Sequence, residues 1–233
     1  MQDIIRNIRA GISIGNTLDA FEKDIKISDA PEKTETSWGN PVITQELVDA
    51  YIAAGLNIIR IPVTWTGHFG GAPDYTIDGA WLRRVREVVD YAYGRGVYVI
   101  LNLHHEGWNY PYYENERACI IMTALWSQLA AEFAGYDEHL IFEGQNEPRK
   151  IGTPLEWNGG DEEGWEVVNS TNAAFVKTVR QGTEYNKSRY LMIPGYAANC
   201  TVGIRHIDIP DDDRIIISVH AYEPYDFALN TEG

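Results

Sequence analysis

Short apolar runs rich in isoleucine and valine alternate with longer amphipathic stretches along this chain of 233 residues. The apolar runs predict strands over residues 12–16, 58–63, 97–103, 140–144, 190–193 and 215–219. The amphipathic stretches predict helices over residues 44–54, 79–93, 116–133 and 165–181, with a short helical turn near Ala197. The strand runs are nearly continuous in apolar residues, which is typical of strands that are buried on both faces of a parallel sheet.

Repeated strand–helix units indicate either a barrel or a doubly wound sheet. No glycine-rich phosphate loop follows the first predicted strand, so the nucleotide-binding versions of the doubly wound sheet lose support. Polar residues instead follow the carboxyl ends of several strands, where barrel enzymes build their active sites. These residues are Asn16, His104, His105, Glu106, Asn146, Glu147 and His220. The pattern therefore favours a (β/α)₈ barrel of the TIM type.

The number of strands changes this expectation. A closed barrel of this type has about eight strands and typically about 250 residues. The sequence predicts a single catalytic domain over residues 1–233 that is truncated to about six βα units and lacks strands 7 and 8. Bare edges of such a sheet invite pairing, so a homo-oligomer that covers the open edges is one expectation.

Charge and composition narrow the choice of partners. The chain has 19 basic and 34 acidic residues and a net charge of −15, which disfavours nucleic acid and anionic membranes and suits a neutral substrate. No stretch approaches the roughly 20 apolar residues of a membrane span, and the first residues lack the pattern of a secretory signal. Cys119 and Cys200 match no metal motif and are expected to be unpaired, buried thiols.

Glu147 is the strongest candidate for acid–base chemistry. It follows a predicted strand in the segment Asn146-Glu147-Pro148, where a carboxyl group faces the mouth of a barrel. Partial burial is expected to raise its pKa, so that the group can protonate a leaving oxygen near neutral pH. Asn146 can bind a sugar hydroxyl, and a helix-capping or ion-paired Glu147 is the alternative interpretation.

Arg60 lies inside an apolar strand, where a guanidinium group must be paired, most simply with a carboxylate. It either keeps a catalytic glutamate ionised or forms a structural ion pair. Tyr222 can place a hydroxyl beside a nucleophile, or pack in its loop. Four tryptophans fall in or near loops, as sugar-stacking platforms or as packing residues: Trp38, Trp65, Trp108 and Trp157.

Three histidines follow predicted strands, namely His104, His105 and His220. They can bind substrate hydroxyls or a metal ion. The adjacent pair His104-His105 lacks the i, i+4 helical spacing of common zinc sites, so no metal is expected. A metal-dependent barrel hydrolase is the alternative that these residues leave open.

Together these segments resemble glycoside hydrolase family 5, the retaining cellulase family, and in particular its bacterial endoglucanases. The resemblance covers essentially the whole chain. The matching segments are Ile14-Gly15-Asn16-Thr17-Leu18-Asp19, Thr36-Ser37-Trp38-Gly39-Asn40-Pro41, Ile59-Arg60-Ile61-Pro62-Val63-Thr64-Trp65, Asn102-Leu103-His104-His105-Glu106, Asn146-Glu147-Pro148 and Ser218-Val219-His220-Ala221-Tyr222.

The resemblance implies endo-hydrolysis of β-1,4-glucosidic bonds in cellulose, xyloglucan or mixed-linkage glucan, outside the cell and without a cofactor, because two carboxyl groups suffice. It makes Glu147 the acid/base. It places Arg60, His104, Asn146, His220 and Tyr222 in the active site, and Asn16, Trp38, His105 and Trp108 on the substrate.

The family's nucleophile is a second glutamate at the end of strand 7, and a substrate-binding tryptophan follows strand 8. Neither strand is predicted in these residues. Three hypotheses follow: the chain is a fragment of a longer enzyme, it self-associates and uses a substitute carboxylate such as Glu223 or Glu106, or it binds β-glucan without cleaving it.

Overall fold

Six parallel strands form one sheet in which spatial order follows chain order. The computed structural model describes residues 2–22, 24–27, 29–109 and 115–231. The strands are β1 (Gly11–Ser13), β2 (Ile58–Ile61), β3 (Tyr98–Asn102), β4 (Leu140–Glu143), β5 (Leu191–Asn199) and β6 (Ile215–His220). Each strand pairs in parallel with the next one along the chain. The predicted truncated barrel of six βα units is confirmed.

Eight helices accompany the strands in the part of the chain that the structure describes, and α3 to α6 cover the outer face of the sheet. They are α1 (Gln2–Asn7), α2 (Pro31–Glu35), α3 (Gln45–Ala53), α4 (Gly79–Tyr93), α5 (Asn115–Glu132), α6 (Glu162–Arg180), α7 (Glu184–Ser188) and α8 (Tyr225–Ala228). Helix α3 begins where the sequence supplies an N-cap: the Thr44 hydroxyl accepts a hydrogen bond from the Leu47 amide at 3.3 Å. The four predicted helices are present, whereas the short helices α1, α2, α7 and α8 were not predicted.

The predicted helical turn near Ala197 is wrong. Ala197 belongs to strand β5, whose register against β6 shifts between Pro194 and Asn199. Ala197 and Ala198 take left-handed backbone angles of φ 55° and 47°. This bulge inserts extra residues without ending the strand, and the helical turn comes later, at Gly203–His206.

Alternate residues of the strands face two different apolar layers. The outer layer packs the sheet against helices α3 to α6 and contains, for example, Ile59, Leu101 and Phe142 from the strands and Val88 and Trp126 from the helices. All five of these side chains are fully or almost fully buried. This layer is the main core, and it leaves the inner, concave face free for other side chains.

The concave face is apolar at one end and polar at the other. At the amino ends of the strands, Ile4 of α1 is 3% exposed and packs with Tyr98, Ile141 and Tyr190. Helix α1 thereby closes this end of the barrel. At the carboxyl ends, inward-facing positions are polar, and these are Ser13, Arg60, Asn102, Glu143 and Ser218.

Cys119 and Cys200 are both half-buried free thiols, so the expected full burial of these side chains is wrong. Among the described residues, the helices are all too short or too polar to cross a bilayer.

Candidate active site

A cleft of about 660 Å³ opens at the carboxyl ends of the strands. Its lining includes most of the predicted site residues, which are Asn16, Arg60, His104, His105, Asn146, Glu147, His220 and Tyr222. It also includes four polar residues that sequence reasoning did not select as site residues: Ser13, Asp19, Glu143 and Ser218. The structure therefore brings together side chains that are spread over 209 positions of the chain, from Ser13 to Tyr222.

Glu147 lies in the loop after β4 and bonds to the last residue of β6. The Nδ1–H group of His220 donates to Glu147 Oε1 at 2.5 Å. Burial raises the pKa of Glu147. The His220 hydrogen bond and the charges of His220, Arg149 and His105 lower the pKa by more than burial raises it, so it lies below its ordinary value. The expectation of a raised pKa is therefore wrong for this chain, because it counted burial and omitted the neighbouring donors.

Arg149 connects Glu147 to an exposed ring. Its Nη1 lies 3.6 Å from Glu147 Oε2 and donates to the Glu147 carbonyl at 3.0 Å. The guanidinium group stacks over the Trp157 ring at 4.0 Å and bonds to Glu156 at 3.2 Å. The loop after β4 is thus held together around the carboxyl group.

Arg60 pairs with Glu143 and not with Glu147. Its Nε donates to Glu143 Oε2 at 2.8 Å, and its Nη2 donates to Asn146 Oδ1 at 2.7 Å. Glu143 is fully buried at the end of β4. Among the described residues, the carboxylate partner of Arg60 is therefore the buried Glu143, and its role in catalysis stays a prediction.

The hydrogen bonds of Asn102 determine the tautomer of His104. Asn102 Oδ1 accepts from the Val63 amide at 3.1 Å, so its Nδ2 faces Glu143 Oε2 at 3.0 Å and His104 Nδ1 at 3.0 Å. His104 Nδ1 must accept this bond, and the proton of the neutral ring is on Nε2. Burial, foremost, and the Arg60 charge hold the pKa of His104 well below its usual value, so the ring is neutral.

The Nε2–H tautomer of His104 argues against the alternative of a metal-dependent hydrolase. Asp19, His104 and His105 offer ligand atoms within 4.8 Å of one another, and His104 Nε2 lies 3.9 Å from Asp19 Oδ2. A metal ligand needs a lone pair, but Nε2 carries hydrogen as long as Asn102 donates to Nδ1. The cluster is therefore a poor metal site, and its geometry suits hydrogen bonding to substrate.

Aromatic rings extend the cleft beyond His105. Trp38 and Phe21 are both exposed, with ring centroids 5.3 Å apart, and Trp38 lies 5.7 Å from the His105 ring. The Trp38 indole donates to the Phe21 carbonyl at 3.2 Å, which fixes the ring. Asn16 holds a left-handed angle, φ 59°, at the cleft wall, and its carbonyl accepts from Asn40 at 2.9 Å.

Trp108 and Glu106 are not in the cleft. Glu106 is 1% exposed and accepts hydrogen bonds from the Trp65 and Thr66 amides, the Thr66 hydroxyl and the Trp108 indole. Burial, the largest influence, raises the pKa of Glu106. Trp108 lines a separate surface cavity beside Phe69. Glu106 is thus a structural carboxyl group and cannot be the substitute nucleophile, and Trp108 has no position on this cleft.

Glu223 lies in an adjoining cavity of about 590 Å³ that shares Glu147, His220 and Tyr222 with the cleft. Trp157 and Cys200 line the same cavity. Tyr222 is exposed and belongs to both spaces. The structure thus places Glu223 next to the cleft, on the side of Trp157.

The parallel barrel with its cleft at the carboxyl ends of the strands is the architecture of a barrel enzyme, and comparison with known proteins gives the family. The family model "Cellulase (glycosyl hydrolase family 5)" matches residues 18–232. The chain belongs to glycosyl hydrolase family 5.

Relatives agree with this assignment. Endoglucanase B of Neocallimastix patriciarum is 52% identical over 234 residues, which cover 98% of this chain and 49% of that protein. A broad-specificity endoglucanase from Ruminococcus champanellensis, solved with bound cellotriose, is 43% identical with a TM-score of 0.94, covering 99% of this chain and 68% of the other. A xyloglucan-specific endo-β-1,4-glucanase from a metagenomic library, also with cellotriose, is 43% identical with a TM-score of 0.92, covering 97% and 66%. The chain thus spans about half the length of that curated relative, 49%.

Proposed function

We propose that this chain carries the acid/base half of an endo-acting β-1,4-glucan hydrolase, with Glu147 as the acid/base. The observation that carries the proposal is the Glu147–His220 pair at 2.5 Å in a cleft at the carboxyl ends of a family 5 barrel. The expected substrates are cellulose, xyloglucan and mixed-linkage glucan. A polymer of this size does not enter cells, which supports the predicted extracellular location.

The remaining cleft residues support sugar binding. Asn16, His105 and Trp38 line or extend one side of the cleft, where the exposed rings of Trp38 and Phe21 offer flat apolar faces to a pyranose. Tyr222 is also exposed and lines the cleft together with Glu147. A neutral polymer that crosses the cleft from Trp38 towards Tyr222 would pass over the acid/base.

The lowered pKa of Glu147 has a consequence for the reaction. A general acid must hold a proton, and an ionised Glu147 cannot give one to the leaving oxygen. A second carboxylate about 5–5.5 Å away, as in retaining glycosidases, would raise the pKa of Glu147 by charge repulsion and would supply the nucleophile. One nearby carboxylate would therefore both keep Glu147 protonated and act as the nucleophile.

The carboxylates of the described residues are not equally suited to act as the nucleophile. Both oxygens of Glu143 accept hydrogen bonds within the protein, and Asp19 Oδ1 accepts from the Thr17 amide at 2.9 Å. Glu223 is exposed in the adjoining cavity and stays the predicted substitute. The family's own nucleophile, a glutamate on strand 7, is the other source.

The test is the release of reducing ends from carboxymethyl-cellulose and barley β-glucan by the wild-type chain, Glu147→Gln and Glu223→Gln. Glu138→Gln is the matched control, since Glu138 is half-exposed before β4, at the amino end of the barrel. Cleavage by the wild type and the control but not by Glu147→Gln supports the proposal. Cleavage that survives Glu147→Gln contradicts it. Cellotriose binding without cleavage by the wild type supports the glucan-binding alternative.

Self-association stays a separate prediction. Strands β1 and β6 are the edges of the described sheet, and each pairs with a single neighbour. Light scattering on the purified chain distinguishes a monomer from an oligomer that covers these edges.

A further inference from the structure

We propose that Glu143 is a positioning residue that determines which atoms of His104 and Asn146 act as hydrogen-bond donors in the cleft. Through Asn102 it holds His104 as the Nε2–H tautomer, and through Arg60 it orients the amide of Asn146. The inference rests on the proposed function only for the nature of the ligand, a sugar hydroxyl.

The Glu143 carboxylate collects donors from three other strands. Oε2 accepts from Arg60 Nε on β2 at 2.8 Å and from Asn102 Nδ2 on β3 at 3.0 Å. Oε1 accepts from the Ser218 hydroxyl on β6 at 2.7 Å. Since the group is fully buried, no water competes for these bonds. A donor that turned away would lose a strong, charge-assisted hydrogen bond, so the orientation of each donor is fixed.

The first consequence reaches His104. The Asn102 amide is held between the Val63 N–H, which requires oxygen, and Glu143 Oε2, which requires a donor. A flipped amide would face both partners with like groups. The remaining Nδ2 hydrogen therefore points to His104 Nδ1, at 3.0 Å. The His104 proton is then on Nε2, which lies 3.9 Å from Asp19 Oδ2, and both residues line the cleft.

The second consequence reaches Asn146. Arg60 is held by Glu143 through Nε and donates through Nη2 to Asn146 Oδ1 at 2.7 Å. Because this bond turns the Asn146 oxygen towards Arg60, the Nδ2 hydrogens are the groups that Asn146 offers on its other side to a ligand. His104 and Asn146 therefore both act as donors, and a hydroxyl bound between them accepts with its oxygen lone pairs.

The primary experiment is nitrogen-15 NMR of the histidine rings in the ligand-free chain at neutral pH, where two- and three-bond couplings show which ring nitrogen carries the proton. The wild type is expected to show His104 as the Nε2–H form alone. In Glu143→Gln, three donors meet a side chain with a single acceptor oxygen, so Asn102 loses its fixed orientation and His104 is expected to populate both tautomers. Cellotriose binding is expected to weaken about tenfold, the loss of one neutral hydrogen bond.

Glu106→Gln is the matched control, because Glu106 is an equally buried carboxyl group with several donors and no bond to Asn102 or His104. It should leave the His104 tautomer unchanged even if it lowers stability. If Glu143→Gln does not fold, Asn102→Ala replaces it, since this variant removes the donor to His104 and should also mix the tautomers.

A wild-type His104 with its proton on Nδ1 would overturn the proposal. So would a pure Nε2–H form in Glu143→Gln or in its replacement Asn102→Ala. None of these readings depends on glucan cleavage, so a failure of the proposed function leaves the tautomer result standing, and the reverse also holds.

Discussion

Arg189 is a fully buried guanidinium group that, among the described residues, donates hydrogen bonds to neutral oxygens and to no carboxylate. It therefore tests the packing around β4. It donates to four backbone carbonyls and one amide oxygen: Phe133, Tyr136, Asp137, Leu140 and the Asn186 side chain, at 2.5 to 3.1 Å. The carbonyls belong to the turn that connects α5 to β4. The guanidinium group also lies 4.5 Å from the centre of the Phe142 ring.

Arg189→Met keeps the length of the side chain and removes every donor. Hydrogen bonds to a charged group contribute about 1.5–3 kcal/mol each, but the folded protein also bears several kcal/mol for burying the charge, a cost that methionine avoids. Acceptors left without a donor cost about 1–3 kcal/mol each, so after this offset the expected net loss is about 3–5 kcal/mol. For a domain of this size, that lowers the melting temperature by roughly 6–20 °C.

Thermal unfolding followed by circular dichroism measures this loss. Arg95→Met is the control, since Arg95 is exposed and pairs with Asp49 on the surface at 2.8 Å, a contact that contributes about 0–1 kcal/mol. If the two variants melt within a degree of each other, the carbonyls released around Arg189 find water or other donors, and the reasoning is wrong.

Two further perturbations test the electrostatics of buried groups. Burial lowers the pKa of His68 from 6.5 to about 4, so its contribution to stability is complete above pH 6.5 and is lost as the pH falls through 4. His68→Gln, which can keep the bond to Thr34, should therefore reduce the fall in the free energy of unfolding between pH 7 and pH 4, measured with urea, by up to about 3 kcal/mol, the part that His68 contributes. An unchanged fall would assign it to other groups. Arg149→Gln should raise the pKa of Glu147 in a carboxyl carbon-13 titration, because a positive charge 3.6 Å away is removed, whereas Arg95→Gln should not; a pKa that stays the same would exclude Arg149 as a cause.

The sheet and the long helices could be predicted because their signals are local. Helix α4 has the predicted bounds, with Asp78 accepting from the amides of its first turn and Gly94 following its last residue. Six apolar runs gave six strands, although several differ by a few residues at their ends. The bulge at Ala197 could not be predicted, since the sequence around it carries no glycine or proline at the two left-handed positions.

The candidate site was predictable only in part. Residues directly after strands, such as His104 and Glu147, could be placed in the cleft because parallel strands end at one face. The partner of Arg60 could not, since it sits on β4 and reaches across β3, a relation set by the stagger of the strands. Trp108 also follows β3, three residues after His105, but its indole donates to the buried Glu106 and not into the cleft. The buried position of Arg60 predicted a carboxylate partner, but nothing in the sequence spacing showed that this partner is Glu143.

Helix α1 has a consequence for how this protein can be handled. Ile4 seals the barrel at the amino ends of the strands, and the cleft lies at the opposite ends. A bead, dye or fusion partner joined ahead of α1 would therefore be held behind the barrel, and the chain could be immobilised on a support with its open side presented to a long insoluble fibre.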